Sequence, residues 1–555
     1  MKRSLLLVGV IILVGGSGLV APSGLCQPAD DDFFAVRKNF TIFGRLYEEL
    51  ASGYVDPLEA EQLMRTGIDA MLATLDPYTV FIDEADNEDI DIITRGRYGG
   101  VGLGVDERGG RLVVVVPFEG YSAYEQGVRA GDVIAKIGGL SAEEMSSLEA
   151  RNLLRGAPGT TVSLEIEREG EPGLLSFVLT RSEIHLNNVT YSGWAGDQTD
   201  GIGYARLERF TQEAGNEMRQ AIERLRSEQG LEGFVLDLRG NPGGLLEAAV
   251  DVAGMFLSSG KVVVSTRGRA VETERTYRTR GAPVAPDVPL VVLVDGSSAS
   301  ASEIVAGALQ DHDRAIIVGE TTFGKGLVQV VRSLPYNTSL KLTTARYYTP
   351  SGRLIQAVTY GRDGRGGTAE RIPDSLRHPF LTMGGRTVYD GHGIEPDVTV
   401  SLGEISDLEE ALRGIAAFFF FANHYAAEHS TLPTLFTVDD DLMDEFRDYL
   451  GAEDFTYLTR AERMLDELVA DLDDAGYHDA LDEVADLREE IADEKEDDFD
   501  RHAPRLRERL RREILARYVG QSDQIRLSLD IDPQLAKALD LLGDHEAYLA
   551  VLDPR

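Results

Sequence analysis

Two short stretches hold the residues best suited to chemistry. One is Ser298-Ala299-Ser300-Ala301-Ser302-Glu303; the other, twenty-five residues after Ser300, is Lys325 in Thr322-Phe323-Gly324-Lys325-Gly326. A serine on a turn of small residues can present its hydroxyl for attack on an acyl carbon. A lysine can take the proton of that hydroxyl, where histidine more often serves. An ordinary lysine, with a pKa of about 10.4, is useless for this at neutral pH. Lowering it to roughly 7–8 requires about 4 kcal/mol of bias against the charged form. Burial beside a hydroxyl, without a carboxylate partner, can supply that bias.

The surrounding pattern says how such residues would be held. Val292-Leu293-Val294-Asp295 reads as an apolar strand and Glu303-Ile304-Val305 as the start of a helix, so Ser300 falls on a strand-to-helix turn. There Ala301 can aim a backbone N–H at a developing oxyanion. A serine-rich turn before a helix also reads as an N-cap, and capping or packing is the better account of Ser297, Ser298 and Ser302. Lys325 follows the apolar run Ile316-Ile317-Val318-Gly319, with a glycine on each side to permit close approach. Gln329, four residues on, can hydrogen-bond the lysine or serve only as a polar strand residue. Asp237-Leu238-Arg239-Gly240-Asn241-Pro242-Gly243-Gly244 is another strand-to-helix turn. Its glycines Gly243 and Gly244 expose backbone N–H groups, and a second oxyanion donor is worth about 3–4 kcal/mol; by itself Asn-Pro-Gly-Gly is only a turn. A phosphate loop is the competing reading of Gly319 to Gly326, but Gly326 stands where Ser or Thr would bind magnesium. No His-Glu-x-x-His or paired-cysteine pattern occurs, and His185, His312, His378 and His392 sit in no triad motif. The expectation is no metal and no cofactor.

The 555 residues are too many for one ordinary domain. A net charge of −39 argues against nucleic acid or an anionic membrane surface as partner. Lysines number only eight, so Lys325 is not one of a crowd of surface lysines. Residues 1–26 read as a signal peptide or anchor: Lys2 and Arg3, an apolar run from Leu5 to Val14, then small residues. Cys26, the only cysteine, excludes an intrachain disulfide, and Ser23-Gly24-Leu25 before it makes a poor lipidation site.

Residues 31–95 read as helical, with Ile42, Leu46 and Leu50 at helical spacing and assigned to core packing. Residues 96–183 read as β-rich, opening on Gly100-Val101-Gly102-Leu103-Gly104, with strands at 112–116, 162–168 and 175–180 and a helix over 142–154. Backbone N–H groups freed by such glycines can hold a peptide's terminal carboxylate while the adjacent strand pairs with the peptide. Residues 184–405 alternate: strands at 202–207, 234–238, 290–294 and 315–318, with helices over 212–228, 246–257 and 302–309, which predicts an α/β core with parallel pairing. Residues 406–555 read as an acidic helical domain for packing or assembly.

The segment 96–183, with Ala130-Gly131-Asp132-Val133-Ile134, resembles a PDZ domain, and from about Phe34 onward the chain resembles a carboxyl-terminal processing peptidase, also called a tail-specific protease. The resemblance rests on Leu75-Asp76-Pro77-Tyr78, the inserted PDZ-like segment, the 237–244 turn, the 298–303 motif, Thr322 to Gly326 with Gln329, and Gly393-Ile394-Glu395-Pro396-Asp397, in that order. It implies a multidomain α/β fold: a serine peptidase core with an inserted PDZ domain, N-terminal helices and a C-terminal helical domain. It implies that Ser300 is the nucleophile, Lys325 the base and Gln329 the residue that orients it, while Asp311 gives structural support. It further implies an exported, periplasmic or membrane-associated endopeptidase that binds substrates by their C-terminal segments. Membrane attachment would be through the N-terminus alone, and a homo-oligomer is left open. The alternative is a catalytically silent PDZ scaffold or chaperone on the same fold; loss of Ser300, Lys325 or Gln329 would have favoured it.

Overall fold

In the computed structural model the described residues are 30–84, 92, 94–360, 369–401, 403, 405–433 and 436–553. The expected signal peptide or anchor, with Cys26, lies outside them. Two bodies are distinguished, one ending at Leu72 and the other beginning at Ala73. The first contains helices Asp30–Gly53 and Ala60–Leu72, tied by the Tyr47 hydroxyl donating to the Ala60 carbonyl at 2.7 Å. Ile42 and Leu46, expected in a core, are 56% and 55% exposed, because two helices enclose too little interior to bury them. No helix among the described residues is long and apolar enough to cross a membrane.

The centre of the second body is a six-stranded sheet in the order Val189–Trp194, Ile202–Leu207, Gly233–Asp237, Leu290–Val294, Ile316–Gly319, Val398–Thr399. The first pair is antiparallel and every later pair is parallel. The two central strands, Gly-Phe-Val-Leu-Asp and Leu-Val-Val-Leu-Val, are buried throughout. Such continuous apolar runs suit parallel strands covered on both faces. Because side chains alternate along a strand, Phe234, Leu236, Val292 and Val294 face one side and Val235, Val291 and Leu293 the other. The first side packs on helices Ala214–Gln229, Leu246–Ala253 and Ala301–Asp311 through Met218, Ile222, Val252 and Val305.

The second side is covered from the C-terminal region. Leu535, Ala538, Leu541 and Tyr548, on helices Pro533–Gly543 and His545–Leu552, pack on Val235, Val291, Leu293 and Val318. The final helices of the acidic, helical region thus serve for packing, on the second face of the peptidase sheet. Its earlier helices, including Ala417–Glu428 and Ala503–Leu515, form their own apolar cluster around Phe421, Phe446 and Leu510.

A second, all-antiparallel sheet was not anticipated from the sequence. Its long strand Ser339–Tyr348 pairs with Leu327–Ser333, with Val80–Ile82 and with Val262–Gly268, which in turn pairs with Arg275–Arg278. Thus part of the expected N-terminal helical stretch is strand. In the PDZ-like segment the sheet runs Leu103–Arg108, Arg111–Pro117, Val133–Ile137, Thr161–Glu167, Leu175–Thr180. Its helix begins at Ser147, later than expected, because Ser146 caps it by accepting from the Glu149 N–H.

Candidate active site

Parallel strands all end on the same edge of a sheet, and three consecutive ends supply the site. The strand ending at Asp237 leads into the turn of Gly243 and Gly244. The strand ending at Val294 leads to Ser300, and the one ending at Gly319 leads to Lys325. The first two turns are laced together. Asn241 accepts from the Ala299 N–H at 3.0 Å and from the Ser302 hydroxyl at 2.9 Å through its backbone carbonyl. The Ser298 hydroxyl donates to the Leu238 carbonyl at 2.9 Å, and the Asp295 carboxylate accepts from the Gly240 N–H at 3.0 Å. Ser298 and Ser302 thus bind the turns to each other, as their reading as packing residues anticipates.

Ser300 is half-buried and sits at φ 55°, ψ −108°, immediately before the first helical residue, Ala301. L-residues seldom adopt positive φ, and such strain costs about 1–3 kcal/mol. A methyl group at Gly243 would come within 2.9 Å of the Ser300 Cβ and 2.7 Å of the Ala299 carbonyl oxygen, so that turn must be glycine. The Gly243 N–H donates to Asn241 Oδ1 at 2.8 Å and is spent there in this conformation. Gly244 and Ala301 remain as the N–H donors of the expected set; Ala301, at a helix start, has no helical carbonyl to reach.

Lys325 is half-buried, and its Nζ lies 4.2 Å from the centroid of the Tyr78 ring. Among the described residues no carboxylate pairs with it. Burial first, and the positive charge of Lys341 second, lower its pKa to about 8, against weaker opposite pulls from Glu303 and Asp76. Gln329 is not brought to the lysine by a hydrogen bond: its Nε2 donates to the Thr343 hydroxyl at 3.4 Å. None of the hydrogen bonds or ion pairs of His185, His312, His378 or His392 involves Ser300 or Lys325.

The residue the sequence reading passed over is Glu303. Its fully buried carboxylate accepts from four donors: the Thr322 hydroxyl at 2.6 Å and Gly324 N–H at 2.7 Å on Oε1, and the Ser300 N–H at 2.8 Å and Lys325 N–H at 3.0 Å on Oε2. Burial nevertheless pushes its pKa up to about 7. Tyr347 makes the complementary link, its hydroxyl donating to the Lys325 carbonyl and lying 3.1 Å from that of Ser300. A glutamate three residues into a helix pattern reads as half of a capping box; nothing local signals that it also reaches Gly324 and Lys325.

The chain is similar to known peptidases and PDZ domains. Residues 201–363 match the model of peptidase family S41, 113–168 that of a PDZ domain, and 408–542 that of the C-terminal helical domain of probable PDZ-proteases. A carboxy-terminal-processing protease of Bartonella bacilliformis is 40% identical over 324 residues, which are 58% of this chain and 73% of the relative. The chain belongs to peptidase family S41, among the carboxy-terminal-processing proteases. The processing protease CtpA of Bacillus subtilis is 31% identical over 62% of this chain and 71% of its own length. Among solved structures, a photosystem II D1 C-terminal processing protease is 29% identical over 68% of this chain and 97% of its own, at a TM-score of 0.36.

This S41 chain is a serine peptidase with a PDZ domain. In that domain the expected peptide loop runs through Gly100, Val101, Gly102, Leu103 and Gly104. Gly102 has φ +79°, and its missing side chain leaves room for Tyr121, whose Cβ is 2.4 Å from where a methyl would sit. The loop enters strand Leu103–Arg108, an edge strand paired, among the described residues, only with Arg111–Pro117. Leu103 and Val105 share a cluster with Ala150 and Leu154 of the Ser147–Leu154 helix. Elsewhere Asp311 forms a buried ion pair with Arg353 at 2.9 Å and accepts from the Ser351 N–H at 2.8 Å. Asp397, at the end of the 393–397 motif, accepts from the Ile317 N–H at 2.8 Å, while the Ile394 N–H donates to the Thr322 hydroxyl at 2.7 Å.

Proposed function

We propose that the chain is an exported endopeptidase that captures the C-terminal segment of a protein substrate on its PDZ domain and cleaves it with Ser300 and Lys325. One observation carries this reading: a single carboxylate, Glu303, joins a strained serine turn to the turn of a lysine that has no acidic partner among the described residues and a pKa lowered to about 8. At the pH where Lys325 is neutral, its Nζ takes the proton as Ser300 Oγ bonds to the scissile carbonyl carbon. The resulting oxyanion faces N–H donors at Gly244 and Ala301. Collapse breaks the C–N bond, Lys325 returns the proton to the leaving amine, and Ser300 carries the acyl group. Water, deprotonated by the same lysine, then releases the new carboxyl terminus and restores the serine.

The edge of Leu103–Arg108, unpaired among the described residues, supports capture of an extended peptide by strand addition, with the terminal carboxylate at the 100–104 loop. Export rests on the pattern of residues 1–26. In this reading the domains span 31–95, 96–183, 184–405 and 406–555.

The test is cleavage of a denatured, C-terminally tagged protein by wild type, Ser300→Ala and Lys325→Ala. Cleavage by wild type alone is expected. Equal cleavage by all three would remove both residues from the chemistry, and none by wild type at any salt concentration would favour the silent scaffold. Masking the tag's terminal carboxylate as an amide separates capture from cleavage.

A further inference from the structure

A base that cycles between neutral and cationic forms needs help with the cation that does not hold it charged at rest. In this chain the group against the ammonium is an aromatic face, the Tyr78 ring at 4.2 Å from Lys325 Nζ. The ring is held from several directions. Asp76 Oδ1 accepts the N–H groups of Tyr78 and Thr79, both at 2.9 Å, and Asp76 Oδ2 accepts the Thr79 hydroxyl at 2.9 Å. The Thr343 hydroxyl donates to Asp76 Oδ1 at 3.2 Å, and the strand that follows, Val80–Ile82, pairs with Ser339–Lys341. Tyr360 packs edge to face on the Tyr78 ring, 6.3 Å between centroids at 86°. Gln329 belongs to the same assembly, since its amide donates to the Thr343 hydroxyl that supports Asp76.

We propose that Tyr78 is a positioning residue for proton transfer: its ring face aims Lys325 Nζ and stabilises the ammonium formed when Lys325 takes the Ser300 proton. This rests on the Ser300–Lys325 reading. The charged or titratable groups around the lysine are Lys341, Glu303, Asp76, Tyr78 and, at its backbone carbonyl, Tyr347. The carboxylates among them are turned to other work: Glu303 accepts four donors, and Asp76 accepts the bonds of the Tyr78 turn. A carboxylate against Nζ would hold the lysine protonated. A ring face favours the cation by less, so the neutral base stays available near pH 8 while the cation gains support during the reaction. Gln329 then acts on the lysine indirectly, through Thr343, Asp76 and Tyr78.

The experiment measures kcat/KM against pH for full-length wild type, Tyr78→Phe, Tyr78→Leu and Lys325→Ala on one denatured, C-terminally tagged fluorescent protein. Tyr78→Phe keeps the ring face, and its rising limb should stay at the wild-type pH. Tyr78→Leu keeps an apolar cover but no face, so the limb should move down by about half to one pH unit and the plateau should fall about tenfold. A loss of plateau with an unmoved limb would mean a purely structural role and overturn the proposal. Should Tyr78→Leu fail to fold by circular dichroism, Tyr78→Trp decides: a stronger face moves the limb up by a few tenths of a unit, and an unmoved limb overturns the proposal. Activity in Lys325→Ala would bring down the Ser300–Lys325 reading and this one together. An inactive Lys325→Ala beside an unmoved Tyr78→Leu limb would bring down only this one.

Discussion

Ser300 and Lys325 are joined through one oxygen: Oε2 of Glu303 accepts the backbone N–H of Ser300 at 2.8 Å and that of Lys325 at 3.0 Å. The parallel sheet brings the two turns to the same edge, but neighbouring strand ends alone leave loops free to drift. Glu303 and Tyr347, one holding N–H groups and the other lying at carbonyls, set the spacing. Only an ionised carboxylate has the acceptor capacity for four donors.

Replacing Glu303 with glutamine therefore removes more than a charge. Its amide nitrogen would confront either the Ser300 and Lys325 N–H groups or the Gly324 N–H and the Thr322 hydroxyl, breaking two of the four bonds in a buried place. The expected cost is about 3 kcal/mol in kcat/KM, two charge-assisted hydrogen bonds at the low end of their range, or roughly a hundredfold. Most of it should fall on kcat, because Glu303 holds the reacting turns. Steady-state kinetics on a tagged substrate checks this; a change confined to KM would contradict it.

Activity should depend on pH through both groups. Lys325, lowered to about 8, must be neutral, so the rate rises through that pH. Glu303, raised to about 7, must be ionised, so below pH 7 the slope of log(kcat/KM) against pH should steepen from one towards two. Stability runs the other way for the glutamate. Its folded pKa lies above an unfolded value of about 4.3. Its linked stabilisation is complete below that pH and is lost as pH rises through about 7. Rates and urea midpoints recorded from pH 5 to 9 test both signs.

Ser300→Gly should abolish cleavage and stabilise the fold. The positive φ of 55° costs any residue with a Cβ, and glycine adopts it freely. A gain of about 1 kcal/mol in the unfolding of the peptidase core is expected in denaturant titration. A neutral or destabilising effect would show that the turn is not strained in solution.

Truncation after Gly520 should leave insoluble or unfolded protein. It would expose Val235, Val291, Leu293 and Val318, which the final helices cover. A soluble, active product on expression and circular dichroism would mean those helices are dispensable to the core.

Much of this was legible in the chain. Runs such as Leu290-Val291-Val292-Leu293-Val294 announce buried parallel strands, and the strand over 202–207 falls where alternation places it. The antiparallel sheet was not legible: Leu327–Ser333 and Ser339–Tyr348 carry mixed polar and apolar faces, and their partners at 80–82 and 262–268 are far away in sequence. The helix expected from Ala142 starts at Ser147 because the cap, not the apolar pattern, decides the first turn.

The sequence by itself determined the family, the order of the motifs, and the candidate pair Ser300 and Lys325, because residue type and local spacing carry that information. The tertiary structure alone decided what surrounds the pair. Glu303 reaches Lys325 from the first turn of the helix that follows another strand, the Tyr78 ring arrives from the turn before an edge strand more than two hundred residues earlier, and the Gln329 amide goes to Thr343 instead of the lysine. These are long-range placements set by sheet pairing and burial, and no local pattern encodes them.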